Sequence, residues 1–208
     1  TRCDGFTRLH VSINILFTDV YGILQIFTEW QRFYIDPETI LEPLQLSFRD
    51  YVIAENNFRD SELFRKSEEY WLGRLASMPL GPDIPLARNP KDIKDPRFAR
   101  RTNYVERASW QRLKERAQRA GVSPTSLLCT AFAEVLAAWS STSRFSLNLP
   151  LLFRLPFHPQ VNKIVGPSTS TLLLEVDAAT DCSFEARVQR LQKRMTEGIN
   201  HRYMGGVR

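Results

Sequence analysis

The histidines and cysteines, the side chains that most readily act as base or nucleophile near neutral pH, are few and widely spaced in this chain. The three histidines, His10, His158 and His201, stand far apart. Histidine is the usual general base near neutral pH, yet a lone one more often serves structure or faces solvent. His10 stands near Asn14 and Asp19, His158 lies in a proline-flanked loop, and His201 follows a helix. Cys3, Cys129 and Cys182 share no metal-ligand spacing. An odd number of cysteines, behind a start that does not read as a secretion signal, predicts reduced thiols in a cytoplasmic protein. No phosphate-cradling glycine loop, metal motif or nucleophile elbow is present. These residues alone name no reaction.

The elements that would position them read as an α/β order. From Arg8 to Thr18 the side chains alternate, with Leu9, Val11, Ile13, Ile15 and Phe17 on one face and His10, Ser12, Asn14 and Leu16 on the other, mostly polar one. Period-two alternation predicts a strand whose polar face looks onto water or a channel. A turn at Thr18-Asp19 leads to a helix over about 21–34, ended by Asp36-Pro37. An ionised Asp19 at that turn can cap the helix or pair with an arginine, so its expected role is structural rather than proton transfer. Residues 47–76 read as mostly helical, with Ser61 a cap. Five prolines from Pro79 to Pro96 mark an extended connector. Beyond it come a strand at 101–106, a helix capped by Ser109 and ended at Gly121, and an apolar, central helix from Ser123 to Trp139. Strands at 145–152 and 171–176 and a charged helix at 184–199 complete the order.

Composition bounds the partners. The chain has 208 residues, is 43% hydrophobic and carries a net charge of +5. Its cations are interleaved with acids, as in Arg112-Leu113-Lys114-Glu115-Arg116, the pattern of a solvated helix face. Nucleic acid is therefore not an expected partner. No apolar run approaches the ~20 residues that span a bilayer, so no membrane is expected either.

The stretch from Arg8 to Gly22, Arg-Leu-His-Val-Ser-Ile-Asn-Ile-Leu-Phe-Thr-Asp-Val-Tyr-Gly, resembles the signature of heterocyclization domains. These are a variant of the condensation domain of nonribosomal peptide synthetases. They carry Asp-x-x-x-x-Asp-x-x-Ser where ordinary condensation domains carry His-His-x-x-x-Asp-Gly. Asp19 matches the second aspartate, Asn14 stands at the first, and Gly22 at the serine. Further stretches follow in the family's order: Leu80 to Leu86 resembles its connector, and Ser123 to Trp139 its long helix. Phe145 to Leu149, Arg154 to Val161 and Val165-Gly166 resemble its core, and His201-Arg202-Tyr203 with Gly205-Gly206-Val207 a closing segment.

The resemblance implies a piece of a two-lobed, chloramphenicol-acetyltransferase-like fold. Residues 1–78 would belong to the first lobe, 79–100 to the connector and 101–208 to the second lobe, with further family motifs expected before Thr1 and after Arg208. It implies amide formation between carrier-bound substrates, then cyclodehydration to a thiazoline or oxazoline. The domain would bind no cofactor of its own; substrates would arrive on the phosphopantetheine of carrier proteins, beside an adenylation domain. Thr169 matches the family's ring-closing threonine, and Asn200 stands where its partner aspartate belongs. Phe153 replaces an asparagine before Arg154, and Gly-Asp-Phe-Thr reads Gly166-Pro167-Ser168-Thr169. The candidate site residues are therefore Thr169, Asn200, Asn14 and Asp19, with Thr169 and Asn200 expected close together. An amide has a carboxylate's shape but takes no proton at neutral pH, so ring closure is expected to be impaired. Two alternatives are a domain that only condenses, beside a tandem neighbour that closes the ring, and a non-catalytic lobe that docks carrier proteins. For the latter, the helices at 110–120 and 184–196 offer cations.

Overall fold

Side-chain caps set where most of the helices begin. A computed structural model describes residues 7–97, 99–179 and 182–205. Asp19 caps α1 (Val20–Ile35) by accepting from the Gly22 N–H. Ser47 and Asp50 form a reciprocal capping box on α2 (Phe48–Phe58). The Ser61 hydroxyl accepts from Phe64 N at 3.2 Å at the head of α3 (Glu62–Leu75). Ser123 caps α5 (Pro124–Trp139), with proline in its first turn, and Ser183 caps α6 (Phe184–Asn200).

The exception is α4 (Arg107–Arg119), which follows Glu106 with no side-chain cap. Ser109, the expected cap, lies inside that helix and accepts from Arg112 Nη2 at 2.9 Å. Gly121 ends it with φ +67°, and the Val122 N–H bonds back to Ala117 at 2.9 Å. Only glycine takes that conformation without strain. Gly121→Ala should therefore cost about 1–2 kcal/mol; an unchanged urea midpoint would count against this cap.

By proximity the described residues fall into two compact units, one of 7–65, 150–171 and 205, the other of 66–149 and 172–204. The described residues of the connector are irregular apart from a short 3-10 turn at Pro90–Asp92, and they join the second unit: Leu80 C=O accepts from Ser146 N at 2.8 Å, and Pro79 C=O from the Ser146 hydroxyl at 2.7 Å.

The second unit is built on a two-stranded sheet of β1 (Arg144–Leu152) and β2 (Thr169–Asp177), of which residues 144–149 and 172–177 belong to it. Alternate residues Phe145 and Leu147, and Leu172, Leu174 and Val176, face Leu191 and Met195 of α6 and Ala133 of α5. Pro150 is tolerated because both strands of a two-stranded sheet are edges. In the first unit Leu46 and Tyr51 pack with Val161 and Ile164.

Three sequence expectations fail here. Residues 8–18 form no strand: they run irregularly into a turn at 15–17, and Leu9, Val11, Ile15, Leu16 and Phe17 are exposed. Asn14 Oδ1 accepts from Leu16 N at 2.9 Å and Asn14 C=O from Phe17 N at 3.1 Å, a local bonding pattern that replaces a ladder. Alternation marks a segment able to pair, but a strand exists only beside another strand, and among the described residues only β1 and β2 pair. Residues 101–106 fail in the same way, with Tyr104 and Val105 exposed. The helix α5 is not central: Ser126, Thr130 and Ala133 are buried while Leu128, Phe132, Val135 and Trp139 stay exposed.

Candidate functional site

The most constrained chemistry lies in the first unit, around Asp19. Its carboxylate has a side-chain exposure of 1%, as does the guanidinium of Arg154 opposite it. An isolated charge at such depth would be severely penalised, so each must be paired and fully bonded. Arg154 Nη2 donates to the two Asp19 oxygens at 3.0 and 3.2 Å. Arg154 Nη1 donates to the Val161 and Ile164 carbonyls at 2.8 and 2.7 Å, Nη2 also to Gly166 at 3.3 Å, and Nε to the Ser168 hydroxyl at 2.8 Å. That hydroxyl in turn donates to Asp19 Oδ2, which also accepts from Ser168 N at 3.2 Å. The Tyr21 ring lies 5.6 Å from the guanidinium carbon.

The chain does this locally for plain reasons. Arg154 leaves the end of β1, and the loop from Leu155 to Ser168 wraps its carbonyls around the guanidinium. Asp19 sits where α1 begins, so its carboxylate meets the helix N-terminus as well as the arginine. Gly22 permits the approach: a β-carbon there would lie 1.9 Å from Thr18 Oγ1 and 3.4 Å from Val165 Cα. The serine of the resembled signature could not replace Gly22 while Thr18 keeps this rotamer.

Burial alone would push the Asp19 carboxyl up, but the Ser168 hydroxyl, the Gly22 N–H and Arg154 together hold it below its ordinary value. A carboxyl depressed on folding stabilises at pH values above its unfolded pKa and loses that contribution as pH falls through the folded value. Stability should therefore be flat at neutral pH and fall in acid below the ordinary carboxylate range. Asp19→Asn should flatten that acid limb in a series of melts; an unaltered acid limb would count against the assignment.

The other candidate positions are placed differently. Asn14 is exposed and committed to the turn described above. Thr169 is exposed at the start of β2, one residue after Ser168, and belongs to the first unit; Asn200 is exposed at the end of α6 and belongs to the second. Neither makes a side-chain hydrogen bond among the described residues. Arg154 and Ser168 are the residues that the sequence-based site list lacks. The signal for Arg154 was a single cation inside Leu-Leu-Phe-Arg-Leu-Pro-Phe, where burial demands a partner.

None of the three histidines forms an ion pair with a carboxylate among the described residues. The His201 ring stacks on Tyr70 at 4.0 Å and its carbonyl accepts from Trp71 Nε1 at 2.9 Å. His158 Nδ1 accepts from Gln160 N at 3.1 Å, and His10 is exposed. Cys129 is partly buried, which pushes its thiol up; Cys3 and the Gly206-Val207 part of the closing segment lie outside the described residues. Among the described residues no cluster could hold a metal, and no single helix is long and apolar enough to cross a membrane.

Comparison with known proteins gives this geometry a setting. The family model described as Condensation domain matches residues 11–206. The chain is similar to pyochelin synthetase PchF of Pseudomonas aeruginosa, at 36% identity over 96% of this chain and 11% of that protein. It is similar to bacitracin synthase 1 of Bacillus licheniformis, at 33% identity over 95% of this chain and 4% of that protein. Among solved structures, the EpoB nonribosomal peptide synthetase cyclization-docking bidomain from Sorangium cellulosum superposes with a TM-score of 0.85 and 40% identity. That match covers 91% of this chain and 38% of the other. The chain thus spans only a small part of these curated relatives.

Proposed function

This chain belongs to the Condensation domain family, and we propose that it serves a nonribosomal peptide synthetase as a heterocyclization-type domain that condenses but closes rings poorly. Its fold is part of the two-lobed, chloramphenicol-acetyltransferase-like architecture of that family. The division into a first lobe over 1–78 and a second over 101–208 belongs to this reading of the whole domain.

The reaction has two stages. The amine of a carrier-bound cysteine, serine or threonine attacks the carbonyl carbon of an upstream acyl thioester. The C–N bond forms, the C–S bond breaks, and the upstream phosphopantetheine thiol leaves with a proton. The side-chain thiol or hydroxyl would then add to the new amide carbon, and water would leave to give a thiazoline or oxazoline. The carriers and the adenylation domain of the same cytoplasmic assembly line are the partners.

The observation that carries the heterocyclization reading is the likeness to a cyclization domain along nearly the whole chain. Asn14 and Asn200 carry the second half of the proposal, since an amide can hold a hydrogen bond but cannot move a proton at neutral pH. Thr169 keeps a hydroxyl for the ring-closing position, and Asp19 holds the frame with Arg154 rather than exchanging protons. The same amides favour a tandem neighbour as the place where rings close.

To test the first stage, the whole protein is mixed with an acyl-loaded upstream carrier and a cysteine-loaded downstream carrier. The acyl group should move onto the downstream carrier as an amide. Two carriers that each keep their original load would contradict the reading.

A further inference from the structure

Two helices of the second unit are rich in cations, and they differ in what those cations do. On α6, Arg187 is paired with Glu134, Arg194 with Glu175, and Arg190 with the Cys182 sulfur at 3.0 Å. Those three arginines are engaged within the unit, whereas Lys193 of the same helix is exposed and forms no ion pair among the described residues. On α4, Arg107, Arg112, Lys114, Arg116 and Arg119 share the helix with a single acid, Glu115. None of the five forms an ion pair among the described residues, and all but the half-buried Lys114 are exposed.

Beside this helix lies a cavity of about 290 Å³ lined by Leu113, Ala117, Val122, Leu127, Phe184 and Val188. Arg116 of α4 and Glu185 of α6 also line it. Two features thus coincide: exposed arginines without an ion-pair partner, of which Arg112, Arg116 and Arg119 share one helix face, and an apolar recess with room for a side chain or two. Such a surface complements an amphipathic helix that presents an apolar side chain between carboxylates. Its charge would steer the encounter, and the recess would fix the register.

We propose that α4 and this recess are a docking surface for an acidic amphipathic helix of a carrier protein. This rests on the assembly-line reading above and adds the face of the domain at which a carrier is received. The α6 arginines, already paired within the unit, take no part.

The test uses the whole protein and each carrier domain of the same assembly line, expressed separately and loaded with phosphopantetheine. Arg112→Glu, Arg116→Glu and Arg119→Glu combined should weaken the affinity for one carrier at least ~10-fold at ~0.1 M salt, where exposed charges still act over about 10 Å. Added salt should weaken the unaltered protein and leave the triple variant little changed. Lys91→Glu with Lys94→Glu, in the connector, should have no effect. If the triple variant does not fold, Arg116→Gln with Arg119→Gln, which keeps good helix formers in place, must still weaken binding several-fold. Carrier affinities within twofold of the unaltered protein would overturn the proposal, as would a loss confined to self-association, which would give the surface to a second copy. If the unaltered protein binds no carrier at all, the assembly-line reading itself falls, and the docking surface with it.

Discussion

Arg154→Met is expected to destabilise the protein by about 3–5 kcal/mol in urea unfolding, because it strands a buried carboxylate. The loss is larger than a surface ion pair could produce, since every donor of the guanidinium is in use and the carbonyls of Val161, Ile164 and Gly166 lose their donor as well. Asp19→Ala should be comparably damaging and should also remove the cap of α1. The two changes combined should cost clearly less than their sum, because the second removes a charge that the first has already orphaned. Strict additivity, or a shift of Arg154→Met below about 1 kcal/mol, would mean that the pair is not the frame described here.

Asn200→Asp should raise ring closure by a large factor in the whole protein. General acid–base catalysis typically contributes ~10²–10⁴-fold, so restoring a carboxylate at this position is not a subtle change. Amide formation should stay within a few-fold, since in the proposed reaction the first stage does not call on this group. Thr169→Val in the Asn200→Asp background should undo the gain by removing the hydroxyl that the proposed reaction assigns to ring closure. A restored acid that leaves the dehydrated fraction unchanged would show that Asn200 does not occupy the aspartate's place.

The helices were legible because their signals are local. Ser47, Ser61, Ser123 and Ser183 each bond within three residues of themselves, and Gly121 ends its helix by its own backbone angle. The strands β1 and β2 were legible as apolar runs. The stretch from Arg8 to Thr18 misled, since its alternation is a capacity to pair, whereas pairing depends on a neighbour. Inside it Asn14 bonds its own turn. Ser109 misled in the opposite way: a good capping residue stands two positions inside the helix that Arg107 opens. Asp19 read correctly as a cap. Its arginine partner is 135 positions away, and no local pattern names a partner at that distance. The resemblance supplied Arg154 only as a matched residue. Its burial, its five acceptor groups and the link through Ser168 required the fold.

The most direct test of the account is the intact mass of the downstream carrier after turnover by the unaltered protein. The account predicts a mass equal to the carrier, its amino acid and the transferred acyl group, with the open-chain amide as the main product. A product already lighter by one water from this domain alone, with no tandem neighbour present, would contradict it.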